Sequence, residues 1–391
     1  MIRVFLSELK RVFTDTGVII FFLVVPFLYP IFYSWLYNNE VVREVPAIVV
    51  DLAHTQMSRE LTRRLDASPN VRIVGHEGSV ESAKKAMVNQ VARGIILIPE
   101  SFSRDVLTGK QASVSLYVDM SSMLYYKALL MTLTNITMDM GSKISVSRGG
   151  LKTEREEEIS AAPLRYEDVP MFNPAGGYGS FLIPAVLILV IQQTMLLGIG
   201  LSAGTVRESN PTRSLVSPDE VQYSSKQIIF GKALCYFLVY IVTSSFVLMA
   251  VPHMFHFLQL APFMRIMAIL IPYLLACIFF SLTFSCVVRY RENVMLIIIF
   301  TSVPLLFMSG ISWPGSALAV PWRALSHIFP STFGINAYVK ANSMGASLSD
   351  VLPELRSLWI QVGVYFLLSV LVYRIERIRQ VFKDYENRAK L

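Results

Sequence analysis

Charge is scarce in this chain. Only 16 % of its 391 residues are Asp, Glu, Lys or Arg, against 53 % hydrophobic ones, and the apolar residues gather in long uncharged runs, which makes it an integral membrane protein. Cysteine is scarcer still. Cys235, Cys277 and Cys286 each sit within an apolar run, so they read as small core hydrophobes and exclude a disulfide framework or a thiolate metal site. No GxxxxGK[ST] occurs: Gly109-Lys110-Gln111 and Gly231-Lys232-Ala233 lack both the earlier glycine and the hydroxyl residue, so nucleotide phosphates are not cradled by that route. HExxH, CxxC and a convincing GxSxG elbow are missing too. The spans hold almost no ionisable residues, which argues against an intramembrane carboxylate relay for protons. His253 and His256, beside Phe255 and Phe257, read as part of an aromatic belt and not as metal ligands. The formal charge of +7 reflects basic residues beside membrane spans and not affinity for nucleic acid.

What is present begins with residues 1–16, an amphipathic helix for the inner membrane surface. Ile2, Phe5, Leu6, Leu9, Val12 and Phe13 share one side, with Arg3, Glu8, Lys10 and Arg11 largely on the other. Residues 17–38 form a first span, too long for a cleaved signal and followed by no small-x-small site. Five more are expected: Tyr178–Ala203, Ile228–Val251, Met264–Val288, Val294–Gly310 and about Leu358–Tyr373. With six spans and both termini inside, Arg207, Arg213, Lys226, Arg289, Arg291 and the basic tail 376–391 all fall on the side of Arg3, Lys10 and Arg11.

Residues 39–172 change character. Val45–Asp51, Val71–Gly75, Gly94–Pro99 and Ser113–Asp119 read as strands; Thr55–Asp66, Ser79–Val91, Ser101–Leu107 and Ser122–Ser147 read as helices. This is an α/β domain inserted on the outer side, so the fold class is a six-span helical membrane protein with an extracytoplasmic α/β insertion. The acidic run 154–158 reads as a solvated linker.

Two segments within 173–375 suggest function. The loop 204–227 is polar, broken by Pro211 and Pro218, and carries Val206, Leu215 and Val216 as isolated apolar knobs suited to a cleft on a soluble partner, the alternative being a plain solvated loop. Residues 311–340 stay apolar and aromatic while Trp313-Pro314, Pro321-Trp322 and Pro330 repeatedly break the helix after Gly310. Such backbone survives in a membrane only when buried in protein or lining a cavity, so the stretch reads either as part of a re-entrant route dipping into the outer membrane surface or as an interfacial loop with a Trp belt.

Three regions together resemble the ABC-2-type export permeases with one large extracytoplasmic domain between the first two of six spans. Within Gly94–Tyr126 the matching positions are Ile98, Pro99, Phe102, Gly109 and Asp119. In and after the polar loop they are Glu208, Leu215, Ser217, Pro218, Gly231 and Lys232. In the outer segment they are Gly310, Pro314, Pro321, Trp322 and Pro330. Relatives usually carry a second acidic residue and a Gly-Thr in the loop, where this chain has Ser209-Asn210-Pro211-Thr212-Arg213.

The resemblance implies a non-enzymatic permease of the bacterial inner membrane. It would pair with a second copy or a paralogue and be driven by separate cytoplasmic ABC ATPase subunits that hold the ATP and Mg; no cofactor is expected in this chain. Phe5 and Leu9 of the first helix, with Glu208, Leu215, Ser217 and Pro218, would contact the ATPase. Gly310, Trp313, Pro314, Pro321, Trp322 and Pro330 would shape the outer gate, and a periplasmic adaptor and outer-membrane channel are candidate partners. Spans poor in charge add, from the residues themselves, a hydrophobic or amphipathic substrate, drug-like or lipid-like. The competing reading is a membrane-anchored receptor or scaffold with a ligand-sensing outer domain. An intramembrane transferase lacks the clustered His, Asp or Glu it needs.

Overall fold

Among the described residues, six helices are long and apolar enough to cross a membrane: Thr16–Leu36, Tyr178–Ser209, Ser225–Met254, Phe263–Phe284, Arg291–Met308 and Leu352–Lys383, here spans 1 to 6. The computed structural model describes residues 1–149, 156, 171–173 and 176–389, with backbone alone at 149, 384 and 386–389. Of the acidic run 154–158 only Glu156 is among them, and Lys390 of the tail lies outside. The chain divides into two units, Met1–Glu40 with Pro170–Leu391, and Val41–Val169.

In hydrocarbon a helix satisfies its own backbone, so each apolar run closes into one. Pro26 and Pro252 would break spans 1 and 3, yet each follows a π turn, Ile20–Val24 and Phe246–Ala250. The wider turn absorbs the ring that would otherwise strike the carbonyl four residues back. Span 2 is the pillar of the helical unit, buried from Leu182 almost without interruption to Arg207. Spans 1, 4 and 5 pack on it. At Gly204 a Cβ would lie 2.8 Å from the Arg291 backbone, so glycine permits the close approach of span 5. Spans 1, 5 and 6 leave Phe32, Trp35, Ile299, Phe300 and Leu367 exposed, as lipid-facing surfaces do.

A short amphipathic helix, α1 (Ile2–Thr14), precedes span 1. It presents three faces and not the expected two. Ile2, Leu6 and Phe13 are exposed, Arg3, Ser7 and Lys10 line a polar edge, and Val4, Glu8 and Val12 are buried against the protein. The expectation that Glu8 lies on the outer polar side is therefore corrected: it is wholly buried, because its partners are on spans 2 and 3.

The other unit is a four-stranded sheet, β1 (Val45–Asp51), β2 (Val71–His76), β3 (Gly94–Ile98) and β4 (Ser115–Val118), ordered β2-β1-β3-β4. β1 is parallel to β2 and β3, with Ala47 opposite Gly94, while β4 runs antiparallel to β3. Helices α2 (Gln56–Asp66), α4 (Phe102–Leu107) and α5 (Met123–Gly149) share one face with a core of Val49, Leu61, Ile96, Phe102 and Leu129. Helix α3 (Val80–Val88) covers Ile48, Val50 and Ile95 on the other. The alternation of β-branched runs with amphipathic segments dictates this three-layer arrangement.

After span 5 the chain forms α6 (Val320–Ser326) and α7 (Pro330–Asn342) before span 6. The final helix does not stop near Tyr373 but continues to Ala389. What reads from sequence as a basic tail is therefore helical as far as Ala389, and Gln380 is fully buried.

Candidate functional site

The chain ends of all six spans that meet at the α1 end of the bundle are bonded together by charged side chains. Asp15 caps span 1 by accepting from the Gly17 and Val18 N–H groups. It also holds Arg291 at 2.5 Å and accepts from Thr205 of span 2. Burial raises the Asp15 carboxyl, but the bonds from Arg291 and Thr205 outweigh that and leave it below its ordinary value. Glu208 accepts from the Arg291 backbone N–H at 2.8 Å and so caps span 5.

A buried charge cluster lies beside this corner. Glu8 of α1 meets Lys232 of span 3 at 3.1 Å and Arg11 at 3.2 Å, and accepts from Ser202 of span 2 and from Tyr236. Glu220 of the loop between spans 2 and 3 lies 3.4 Å from Arg11 and 3.6 Å from Lys232. Arg11 also donates to Ser217 at 2.6 Å. The Lys232 ammonium stands 5.9 Å from the ring centre of Tyr373 on span 6. Two carboxylates face two cations, so the cluster is neutral and its desolvation is tolerable. Burial alone would raise the Glu8 carboxyl. The Lys232 and Arg11 charges and the Tyr236 bond override burial and pull it down to about 2. At Gly231 a Cβ would meet Val4 at 3.0 Å, so glycine lets α1 approach span 3 closely enough for the cluster to close.

The rest of the loop is clamped to the end of span 6. Arg207 binds Glu376 at 3.2 Å and the Val288 carbonyl at 2.6 Å. Asn210 donates to Gln380 and to the Val216 carbonyl, Thr212 donates to Gln380, and the Leu215 N–H donates to Glu376. Leu215, 1 % exposed, and Val216 are consequently packed inside and are not free knobs, a correction to the sequence reading. Ser217 is buried as well. Glu208, Pro218, Asp219, Gln222, Ser224 and Lys226 remain on the surface, while Phe5 and Leu9 on α1 are half-buried.

The second special region is the break between α6 and α7. Gln192, fully buried near the middle of span 2, accepts from the Ser331 N–H at 2.7 Å and so caps α7. Gln361 of span 6 donates to the His327 carbonyl at 2.8 Å, and Tyr365 donates to the Ile328 carbonyl. Tyr273 packs where a Cβ on Gly334 would be 2.5 Å from its ring. Of the gate residues expected, Trp313, Pro314, Pro321 and Trp322 are exposed, Gly310 supplies a turn at φ +88°, and only Pro330 enters the packed interior. The buried limb is made by Ser331, Ile335 and Tyr338, which the sequence reading did not single out. The paired Gln192-Gln193 inside an otherwise apolar run was the signal for it. Cys286 is exposed, contrary to the expectation for it, whereas Cys235 and Cys277 are buried.

No curated protein matches this chain. Residues 16–371 match the family described as ABC-2 family transporter protein, a stretch that takes in all of spans 1 to 5, the α/β unit, the clamped loop and most of span 6. The chain belongs to the ABC-2 family of transporter proteins.

Proposed function

We propose that this chain is the membrane-spanning permease of an ATP-driven exporter. It works as a pair with a second copy or paralogue and is powered by ABC ATPase subunits that bind at the α1 end and carry the ATP and Mg. The carrying observation is the neutral buried cluster of Glu8, Arg11, Glu220 and Lys232. It fuses α1, the loop and spans 2 and 3 into one body, while Glu208, Pro218 and Asp219 stay exposed for a partner. A push on those residues moves spans and not merely a loop.

Arg207, Arg213, Lys226, Arg289, Arg291 and Arg377 crowd the same end, which favours a cytoplasmic placement of both termini in a bacterial inner membrane. A groove of about 470 Å³ between spans 1, 2 and 5, walled by Phe21, Tyr29, Tyr33, Val190, Gln193 and Ile298, has no charged side chain in its lining among the described residues. It suits a hydrophobic or amphipathic cargo. The α6–α7 break acts as the outer gate, and the α/β unit is the surface for a periplasmic adaptor.

The test is co-purification of the tagged chain in mild detergent with an ATPase assay on the eluate. Glu208→Lys with Asp219→Arg should leave the permease inserted and remove the nucleotide-hydrolysing partner. A normally bound, active ATPase after both reversals sinks this docking surface.

A further inference from the structure

The geometry points to a binding site for a single-chain amphiphile with an acidic head on the α/β unit, independent of the transport cycle proposed above. It lies in a trough of about 770 Å³ between α5 on one side and α4 with the run 110–116 leading into β4 on the other. Leu61, Phe102 and Leu133 are buried beneath it, and Leu116, Met140 and Ile144 are half-buried along it. A soluble face of this size is normally closed by polar side chains.

Among the described residues, the charges at the trough are all of one sign. Lys110 and Arg148 are the only charged side chains among those residues that line it. Both are exposed, and neither forms an ion pair among the described residues. The chain reverses between Val118 and Met123, so α5 runs back against β4. Leu130 and Leu133 therefore lie beside Leu116, and Ile144 and Arg148 beside Lys110 and Ala112, which puts both cations at the same end. From Leu130 to Arg148 the helix extends about 27 Å. One leaflet of bilayer hydrocarbon is about 15 Å deep, so a full acyl chain fits with its head at the basic end. A neutral lipid would leave both cations unanswered, and a compact anion such as phosphate would leave the apolar floor uncovered. An acidic single-chain amphiphile satisfies both.

The test uses the full-length protein in amphipol with a palmitic acid analogue bearing a photoactivatable diazirine, and in parallel the alcohol of the same chain. Cross-linked peptides are mapped by mass spectrometry. Labelling is expected on peptides covering 102–116 and 130–148, with the acid captured at least tenfold more than the alcohol. Lys110→Glu with Arg148→Glu, on exposed positions, should abolish that preference. Thr137→Trp, which fills the trough, should lower capture of both probes. Labels confined to the spans, equal capture of acid and alcohol, or a preference that survives the double reversal would each overturn the assignment.

Discussion

The α1 end of the bundle and the α6–α7 break solve one problem with different chemistry. Each holds non-helical backbone that apolar surroundings would otherwise penalise. At the α1 end the loop from Asn210 to Glu220 is held largely by full charges, Arg207 with Glu376 and the Glu8, Arg11, Glu220 and Lys232 cluster, with the neutral bonds of Asn210 and Thr212 to Gln380 beside them. At the break between α6 and α7 the fixing groups are neutral, the amides of Gln192 and Gln361 and the Tyr365 hydroxyl. A buried ion pair is very costly to break by halves, whereas a lost neutral hydrogen bond is modest. The first region is therefore the costlier one to disrupt, the second the cheaper.

That contrast predicts a ranking. Lys232→Met should have the largest effect, roughly 3–5 kcal/mol of destabilisation, because it leaves Glu8 and Glu220 facing only Arg11. Thermal unfolding followed by size-exclusion fluorescence should show it, and adding Glu8→Gln should restore much of the loss by returning the cluster to neutrality. A double variant no better than the single would falsify the cluster's electrostatic role.

Acid should act on the same region. The Glu8 carboxyl is lower in the folded protein, about 2, than its ordinary value of 4.5, so its stabilisation is fully present above pH 4.5 and is lost as pH falls toward 2. The full shift corresponds to about 3 kcal/mol. Glu8→Gln should flatten the acid limb of a melting-temperature profile in that window. An unchanged limb would place the titration elsewhere.

At the break, Gln192→Leu should cost about 1–3 kcal/mol by leaving the buried Ser331 N–H unanswered. Its more telling readout is labelling of a cysteine placed at Ser316 or Ala319 by a membrane-impermeant reagent. The rate should rise in Gln192→Leu and become less dependent on nucleotide trapping. Identical labelling of both forms would show that the cap does not hold the proposed outer gate. The smallest effect belongs to Glu208→Gln, which keeps a hydrogen bond at the N-terminus of span 5 but removes the charge, about 0.3–1 kcal/mol. A loss comparable to that of Lys232→Met would erase the ranking.

The spans and the α/β layers were legible because hydropathy and the change from period 3.6 to period 2 are local properties. Val45–Asp51 is a strand on both readings. The inward turn of Glu8 was not legible, since Lys232 lies 224 residues away and no local pattern announces a partner at that distance. The same reason hid the burial of Leu215 and Val216, whose loop is polar in composition but closed by Glu376 and Gln380. In the outer segment, proline and tryptophan drew attention to the exposed limb. In the packed limb the small residues Ser331 and Gly334 fit against span 2 and Tyr273, contacts that only the fold brings together.

The clamp between the loop and span 6 also orders the protein's birth. Arg207 is made 169 residues before Glu376, its carboxylate partner. While the chain is still growing, spans 2 and 3 can insert, but the corner around Arg207 has no answering charge. The last stretch of polypeptide thus completes a join begun near the middle of synthesis.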